Sequence, residues 1–311
     1  MEQVKFIKPK DLLVIENENE YILRKGFLHS NEVTINKEKS SKEFNSSFST
    51  FIQENSIILN KNDKVYEDFH QLVQFRLIDL KSNEKIVVIA NSKIFEGKDK
   101  ILFDNIILME KDDVLSHVDV VKINENKDPV TLNEIYSKYG ELFKDYDSIY
   151  YIDDLRNITS LRAINRITAE LNIELTLGFY DNDNVYLTKI KHGYTGCFEC
   201  MEKHIISKFP NDMNYYMNRD SKCTSYNSND PSIMFLLSIL TVDIQNVLVY
   251  GSSSLLGQVI HFYLPSFEYS YNSNRRYISC PTCGGINKTI FEEQNVRSVN
   301  LIKEAMRDDS I

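Results

Sequence analysis

The sequence has no tryptophan, only five cysteines, no excess of basic charge, no glycine-rich phosphate loop and no apolar run of membrane length. Each absence narrows the reading. A formal net charge of −9 and a pI near 5.3 over 311 residues offer no basic face for phosphates, which argues against a nucleic-acid partner. The strongest apolar run, Ile233 to Leu240, meets Thr241 and Asp243 at once. That is well short of the ~20 apolar residues of a membrane span, so it reads as a buried helix. Met1 to Lys10 contains no apolar signal core, and a cytoplasmic, reduced chain is expected. The missing tryptophan, set against plentiful Tyr, Phe, Asn and Lys, speaks to an AT-rich genome more than to a mechanism. The length leaves room for two domains, and no internal repeat is visible.

Four of the five cysteines form two knuckles, Cys197-Phe-Glu-Cys200 and Cys280-Pro-Thr-Cys283-Gly-Gly. Two such pairs supply four thiolates for a tetrahedral ion with no open position, the donor set of a structural metal rather than a catalytic one. The long insertion between them is too large for a compact finger, so the metal ties remote parts of one domain. Zinc is favoured, and rubredoxin-type iron has the same donor set. His192 and His204 flank the first knuckle and are taken as ordinary side chains. Cys223 is taken as an unpaired surface thiol.

The amino-terminal part alternates like a small antiparallel meander. Asp11–Glu16, Glu20–Arg24 and Glu32–Ile35 are its strands. Phe44, Phe48, Phe51 and Ile52 then mark one helix. Val65, Phe69, Leu72 and Arg76 mark a second, with Asn62 or Asp63 as its cap. From about residue 84 the pattern becomes α/β. Lys85–Ala90 and Asp147–Asp154 read as buried parallel strands, with a helix between them over Leu132–Phe143. A helix face follows at Leu161, Ile164, Ile167 and Leu171, and two further strands at Ile173–Phe179 and Val185–Ile190. The layout is Rossmann-like. Yet Asn91-Ser-Lys-Ile-Phe-Glu-Gly97 follows the first strand where a nucleotide-binding version carries G-x-G-x-x-G. Gly251 to Gly257 reads as a helix-joining turn. Asp153 and Asp154 read as helix caps, and Arg156, Arg162 and Arg166 as a solvated helix face.

Leu161-Arg-Ala-Ile-Asn-Arg-Ile, Glu170-Leu-Asn-Ile, Gly193-Tyr-Thr-Gly-Cys-Phe-Glu-Cys200 and Cys280-Pro-Thr-Cys283-Gly resemble the ThiF-like fold of ubiquitin-activating-type enzymes. The resemblance is to its degenerate branch in azole-forming peptide biosynthesis: the zinc subunit of microcin synthetase, the streptolysin-type subunit and the thiopeptide leader-binding proteins. It covers most of the chain, although residues 98 to 146 carry little signal.

The resemblance implies a winged-helix peptide-recognition element over residues 1–84, followed over 85–311 by a degenerate Rossmann-like ThiF domain with structural zinc on Cys197, Cys200, Cys280 and Cys283. It implies a non-catalytic scaffold that binds the leader of a ribosomally made precursor and presents the core to a YcaO-type cyclodehydratase, with a dehydrogenase as a further partner. The products are azolines and azoles, as in bacteriocins and thiopeptide antibiotics. A homodimer is expected, with no nucleotide, nucleic acid or membrane involved. Leader docking as an added strand would use Val33, Thr34 and Ile35, beside a helix wall of Phe69, Leu72, Val73 and Arg76. The alternative is an ATP-dependent adenylating enzyme acting on a peptide carboxylate. The tail from Phe291 to Ile311 would be a terminal element or a docking segment.

Overall fold

In the computed structural model, residues 3–26, 31–96, 106–125, 128–206 and 230–284 are described. Cys223 and the tail from Phe291 lie outside them. The chain divides into two compact units, Met1–Glu84 with Thr241–Ser253, and Lys85–Leu240 with Ser254–Ile311.

In the first unit, β2 (Leu12–Glu16), β3 (Glu20–Lys25) and β4 (Asn31–Asn36) form the expected antiparallel meander in the order β2-β3-β4. The register sets Leu23 opposite Val33 and Tyr21 opposite Ile35, so that alternate residues reach the core and the rest face outward. Three strands are additional to the sequence reading. These are β1 (Gln3–Ile7), β5 (Ser56–Asn60) and β6 (Asp79–Lys81), which pair antiparallel in the order β5-β1-β6.

Helix α1 (Lys42–Glu54) begins where the Ser41 side chain accepts from the Phe44 N–H, and it buries Phe44, Phe48 and Phe51 on one face. Helix α2 (Tyr66–Gln74) has no side-chain cap. Asp63, expected to cap it, instead accepts from the Asn60 N–H at 2.7 Å and shapes the turn after β5. The core is a ring cluster. Phe48 lies 5.3 Å from Phe44, 5.9 Å from Phe51 and 5.0 Å from Tyr21, and Phe69 lies 5.5 Å from Phe6, centroid to centroid. Such pairs add about 0.5–1.5 kcal/mol each beyond area burial.

The second unit is α/β around a seven-stranded mixed sheet. Its strands are β7 (Ile86–Ala90), β8 (Ile106–Glu110), β9 (Ser148–Asp154), β10 (Glu174–Asp181), β11 (Asn184–Ile190), β12 (Gln258–Tyr263) and β13 (Glu268–Ser273). The order is β13-β12-β11-β10-β9-β7-β8. The strands from β8 to β10 are parallel neighbours, and those from β10 to β13 are antiparallel. β7 and β9 are buried along their whole length, as continuous apolar runs inside a two-sided sheet require.

The poorly legible stretch after residue 98 contributes β8, the short α3 (Lys111–Val114) and α4 (His117–Glu125). Helix α5 (Pro129–Phe143) starts with Asp128 accepting from the Val130 and Thr131 N–H groups, and Pro129 stands in its first turn. Proline costs nothing there because that N–H has no helical partner. Helix α6 (Ile158–Leu171) buries the predicted face of Leu161, Ile164 and Ile167.

Two expectations need correction. The apolar run starting at Ile233 does not stop at Thr241. It continues as a 20-residue helix, which after α7 (Phe198–Ile206) is α8 (Pro231–Tyr250). By length and composition alone α8 passes as a membrane span, with a mean hydropathy of 1.8. One face of it belongs to the core: Leu236 and Leu240 press on Gly178 of β10, where any Cβ would lie 2.9 Å from each, while Met234 and Val242 are exposed. Asp243 is compatible with the helix because it is buried beside Ser253, whose hydroxyl donates to it at 2.5 Å. The segment from Gly251 to Gly257 joins a helix to β12, not a helix to a helix.

Candidate metal centre

Cys197 immediately precedes α7, and the Phe198 N–H at its start donates to Asn165 Oδ1 of α6 at 2.9 Å. The helical turn that follows brings Cys200 round beside Cys197. The second knuckle is a tight turn in which the Gly284 N–H bonds to the Cys280 carbonyl at 2.9 Å. A Cβ at Gly284 would lie 2.3 Å from that same oxygen, so only glycine fits.

The four sulfur atoms lie within 4.8 Å of one another. Cys197 to Cys200 is 3.9 Å, Cys197 to Cys280 is 3.4 Å and Cys200 to Cys283 is 3.3 Å. Zinc with Zn–S bonds of about 2.3 Å needs sulfur–sulfur edges of about 3.8 Å, so this donor set fits a tetrathiolate ion with small adjustments. Among the described residues it is the only cluster of His, Cys, Asp and Glu with such spacing. Neither flanking histidine joins it. His192 Nε2 faces the Thr168 hydroxyl at 3.0 Å, and His204 Nδ1 faces the Tyr277 hydroxyl at 3.3 Å.

The backbone beside Cys200 favours negative sulfur there. The Tyr277 N–H donates to Cys200 Sγ at 3.3 Å. Hydrogen bonding from the Cys197 thiol lowers the Cys280 thiol to about 6 and also pulls Cys200 down, while Cys197 itself is pushed up by its contact with Cys200. Arg276 bridges the two knuckles, donating to the Gly193 carbonyl at 2.7 Å and to the Cys283 carbonyl at 2.9 Å.

The arginines expected on a solvated face are engaged instead. Arg162 donates to both oxygens of Glu202 at 2.9 and 2.6 Å. Arg166 meets Glu199 at 2.6 Å and the Ile123 carbonyl at 2.9 Å. Arg156 forks onto Asp154 at 2.8 and 2.6 Å. Glu199 and Glu202, in and beside the first knuckle, are each only 4% exposed. Burial pushes the Glu199 carboxyl up, opposed by the Arg166 guanidinium. The Thr282 hydroxyl, in the second knuckle, donates to the other Glu199 oxygen. Sequence reasoning passed over Glu199 and Thr282, and the available signal was their place between paired cysteines.

The predicted peptide-binding residues fall into two groups. Val33, Thr34 and Ile35 lie on β4, which pairs with β3 on one side and with no other strand among the described residues. Phe69, Leu72 and Val73 are buried at 0%, 5% and 0% exposure, which makes them core residues. The solvent side of α2 carries Asp68, Gln71 and Gln74 instead, and ends at Phe75, which is 57% exposed. Asn31, at the start of β4, donates to the Phe75 carbonyl at 3.2 Å, which places the helix end beside the strand. Arg76 adopts a left-handed φ of 57° and sits 5.3 Å over the Tyr250 ring.

At the carboxyl ends of the parallel strands, Asn91 opens a short helical turn with Ile94 and Phe95 packed inward. Glu110, at the end of β8, accepts from the Ser92 N–H at 2.7 Å. Burial alone would raise its carboxyl, but hydrogen bonds from Ser92 and from the Asp112 and Lys111 N–H groups hold it below the usual range. A fixed negative charge thus occupies a backbone donor of the loop that holds phosphate in nucleotide-binding relatives of this layout. Beside it Asp153, wholly buried, pairs with Lys111 at 3.0 Å and accepts from Asn157 at 2.7 Å and the Tyr151 hydroxyl at 2.9 Å. Burial drives the Asp153 carboxyl up against the pull of Lys111. Of the two acids read as caps, Asp154 accepts from the Arg156 N–H ahead of α6, whereas Asp153 belongs to this buried cluster.

No protein-family model matches the chain, and no curated protein matches it by sequence. Among solved structures it is similar to a heterocyclase in complex with substrate and cofactor, at 12% identity and a TM-score of 0.51, over 91% of this chain and 40% of that one. It is also similar to the heterocyclase TruD, at 13% identity and a TM-score of 0.48, over 91% and 43%. Escherichia coli MccB matches at 16% identity and a TM-score of 0.45, over 90% and 97%. The chain spans less than half the length of the two heterocyclases. What it shares with the first of them is the fold.

Proposed function

We propose that this chain is a non-catalytic scaffold of azole-forming peptide biosynthesis. It binds the leader of a ribosomally made precursor and presents the core to a YcaO-type cyclodehydratase. The observation that carries this reading is the edge of β4 that no other strand pairs among the described residues, in a small compact unit, with Val33, Thr34 and Ile35 offering backbone donors and acceptors. An extended peptide added there gains main-chain hydrogen bonds, and side-chain pockets set its sequence. In this reading the helix wall is the exposed side of α2, with Phe75 as its apolar anchor, and the buried Phe69, Leu72 and Val73 hold that wall in place.

The fold shared with a heterocyclase supports the setting, and the charge of Glu110 at the Ser92 N–H supports the absence of nucleotide. The tetrathiolate centre has no vacancy for substrate and serves as a staple. The winged-helix and ThiF-like assignments, the homodimer and the cytoplasmic location belong to the same proposal.

The test is a titration of a fluorescent leader peptide, taken from the gene cluster of this chain, against the whole protein. Saturable binding that Phe75→Ala weakens supports the scaffold. Absence of binding removes it.

A second reading is an adenylating enzyme acting on a peptide carboxylate. The buried cluster of Asp153, Lys111 and Asn157 favours it, because ligands of open α/β sheets bind beyond the carboxyl ends of the strands. ATP with Mg²⁺ raises the melting temperature under this reading, by ligand linkage, and leaves it unchanged for the scaffold.

A further inference from the structure

We propose that Glu199 is the positioning residue of the metal centre, clamping the second knuckle to the first through Thr282 whether or not a metal is present. Matching cysteines of the two pairs, Cys197 and Cys280, lie 83 positions apart in the chain, so the ion meets a formed site only where protein contacts hold them together. Glu199 lies between Cys197 and Cys200, and Thr282 between Cys280 and Cys283. The Thr282 hydroxyl donates to one Glu199 oxygen, while Arg166 holds the other at 2.6 Å.

Arg166 is itself fixed to the Ile123 carbonyl at 2.9 Å. The contacts therefore run without a break from α4 through α6 and α7 to the second knuckle. The Arg166 charge offsets the Glu199 carboxylate beside four thiolates, where an unpaired anion would repel them. The Glu199 side chain is 5% exposed, so these bonds are shielded from competition with water. Glu202 makes the same kind of pair with Arg162 from the same helix. Partners that orient metal ligands set affinity by about 10–100-fold.

The test uses the full chain loaded with Zn²⁺, its affinity read by competition with a chromophoric chelator, and its Co²⁺ form read by absorption. Thr282→Val and Glu199→Gln are expected to weaken metal binding by about 10–100-fold. Thr282→Ser, which restores the hydroxyl, is expected to restore wild-type affinity. The Co²⁺ bands should keep a tetrathiolate signature in every variant, since all four sulfurs remain. If Glu199→Gln fails to fold because it disturbs the Arg166 pair, the Thr282→Val and Thr282→Ser pair decides alone. Wild-type affinity in Thr282→Val, or no recovery in Thr282→Ser, overturns the proposal.

Discussion

The two compact units differ in what they add to a packed apolar core. In the first, two small sheets and two helices close over packed rings, and Phe48 touches Phe44, Phe51, Phe69 and Tyr21. The second buries rings as well, among them Tyr139, Phe143, Phe179 and Phe198, and adds two cysteine pairs that meet across a long stretch of chain, near exposed groups such as Tyr194 and Ile278, at 80% and 71%. In the second unit a cluster of four cysteines and the buried pairs of Arg162 with Glu202 and Arg166 with Glu199 stand where two turns meet.

The largest expected effect that would break this contrast comes from Cys283→Ser. Structural zinc binds peptide sites with an apparent 10–16 kcal/mol, about the size of a domain's whole stability. The variant should lose its metal and misfold, as checked by elemental analysis and thermal melting. A soluble, metal-free protein with an unchanged melt and unchanged peptide binding would show that the centre is no staple.

Next in size is Phe48→Ala, expected to cost about 3–5 kcal/mol in the first unit, through lost burial and the cavity left behind. Denaturant unfolding measures it, and the metal content should stay at wild-type level. A loss of metal on this change would mean that the two chemistries are not separate.

Phe75→Ala sharpens the comparison from the other side. Phe75 is exposed, so stability should hold within about 0.5 kcal/mol. Leader affinity should fall roughly tenfold, the loss of one aromatic anchor. Unchanged affinity in the fluorescence titration would detach α2 from the peptide site.

The smallest effect concerns Asp128 at the start of α5. Hydrogen bonds from the Thr131 hydroxyl and from the Thr131 and Val130 N–H groups lower its carboxyl below the ordinary 3.8. A lowered folded-state value means that its stabilisation is present above pH 3.8 and is lost as pH falls through the folded value. Asp128→Asn keeps a capping oxygen but does not titrate. The wild type should therefore melt slightly higher at neutral pH, and the gap should close toward pH 3. A gap that is constant with pH would refute this account.

Much of the fold is legible because hydrophobic periodicity is local. The meander of β2 to β4, the ring face of α1, the buried runs of β7 and β9 and the stripe of α6 are each set by residues within one or two turns. β6, at three residues, is too short to show a period and becomes a strand only when β1 supplies its ladder. The length of α8 was misread because Asp243 looks like a terminator until Ser253 is placed beside it. Arg162 and Arg166 read as a solvated face because Glu202 and Glu199 lie 40 and 33 residues away. The four cysteines were legible as a set, since thiolate pairs at this spacing have few other uses.

By itself the sequence determined the grouping of four cysteines as a candidate donor set, the meander followed by an α/β part, and the lack of a glycine-rich phosphate loop. These depend on residue type and short-range spacing. Only the tertiary structure decided that Phe69, Leu72 and Val73 lie in the core, that Phe75 lies beside the β4 edge, that Glu110 fills the Ser92 donor, and that Glu199 reaches Thr282. Each of those outcomes depends on which distant side chain arrives first at a buried or exposed position, and a buried charge is stable only where that partner is in place.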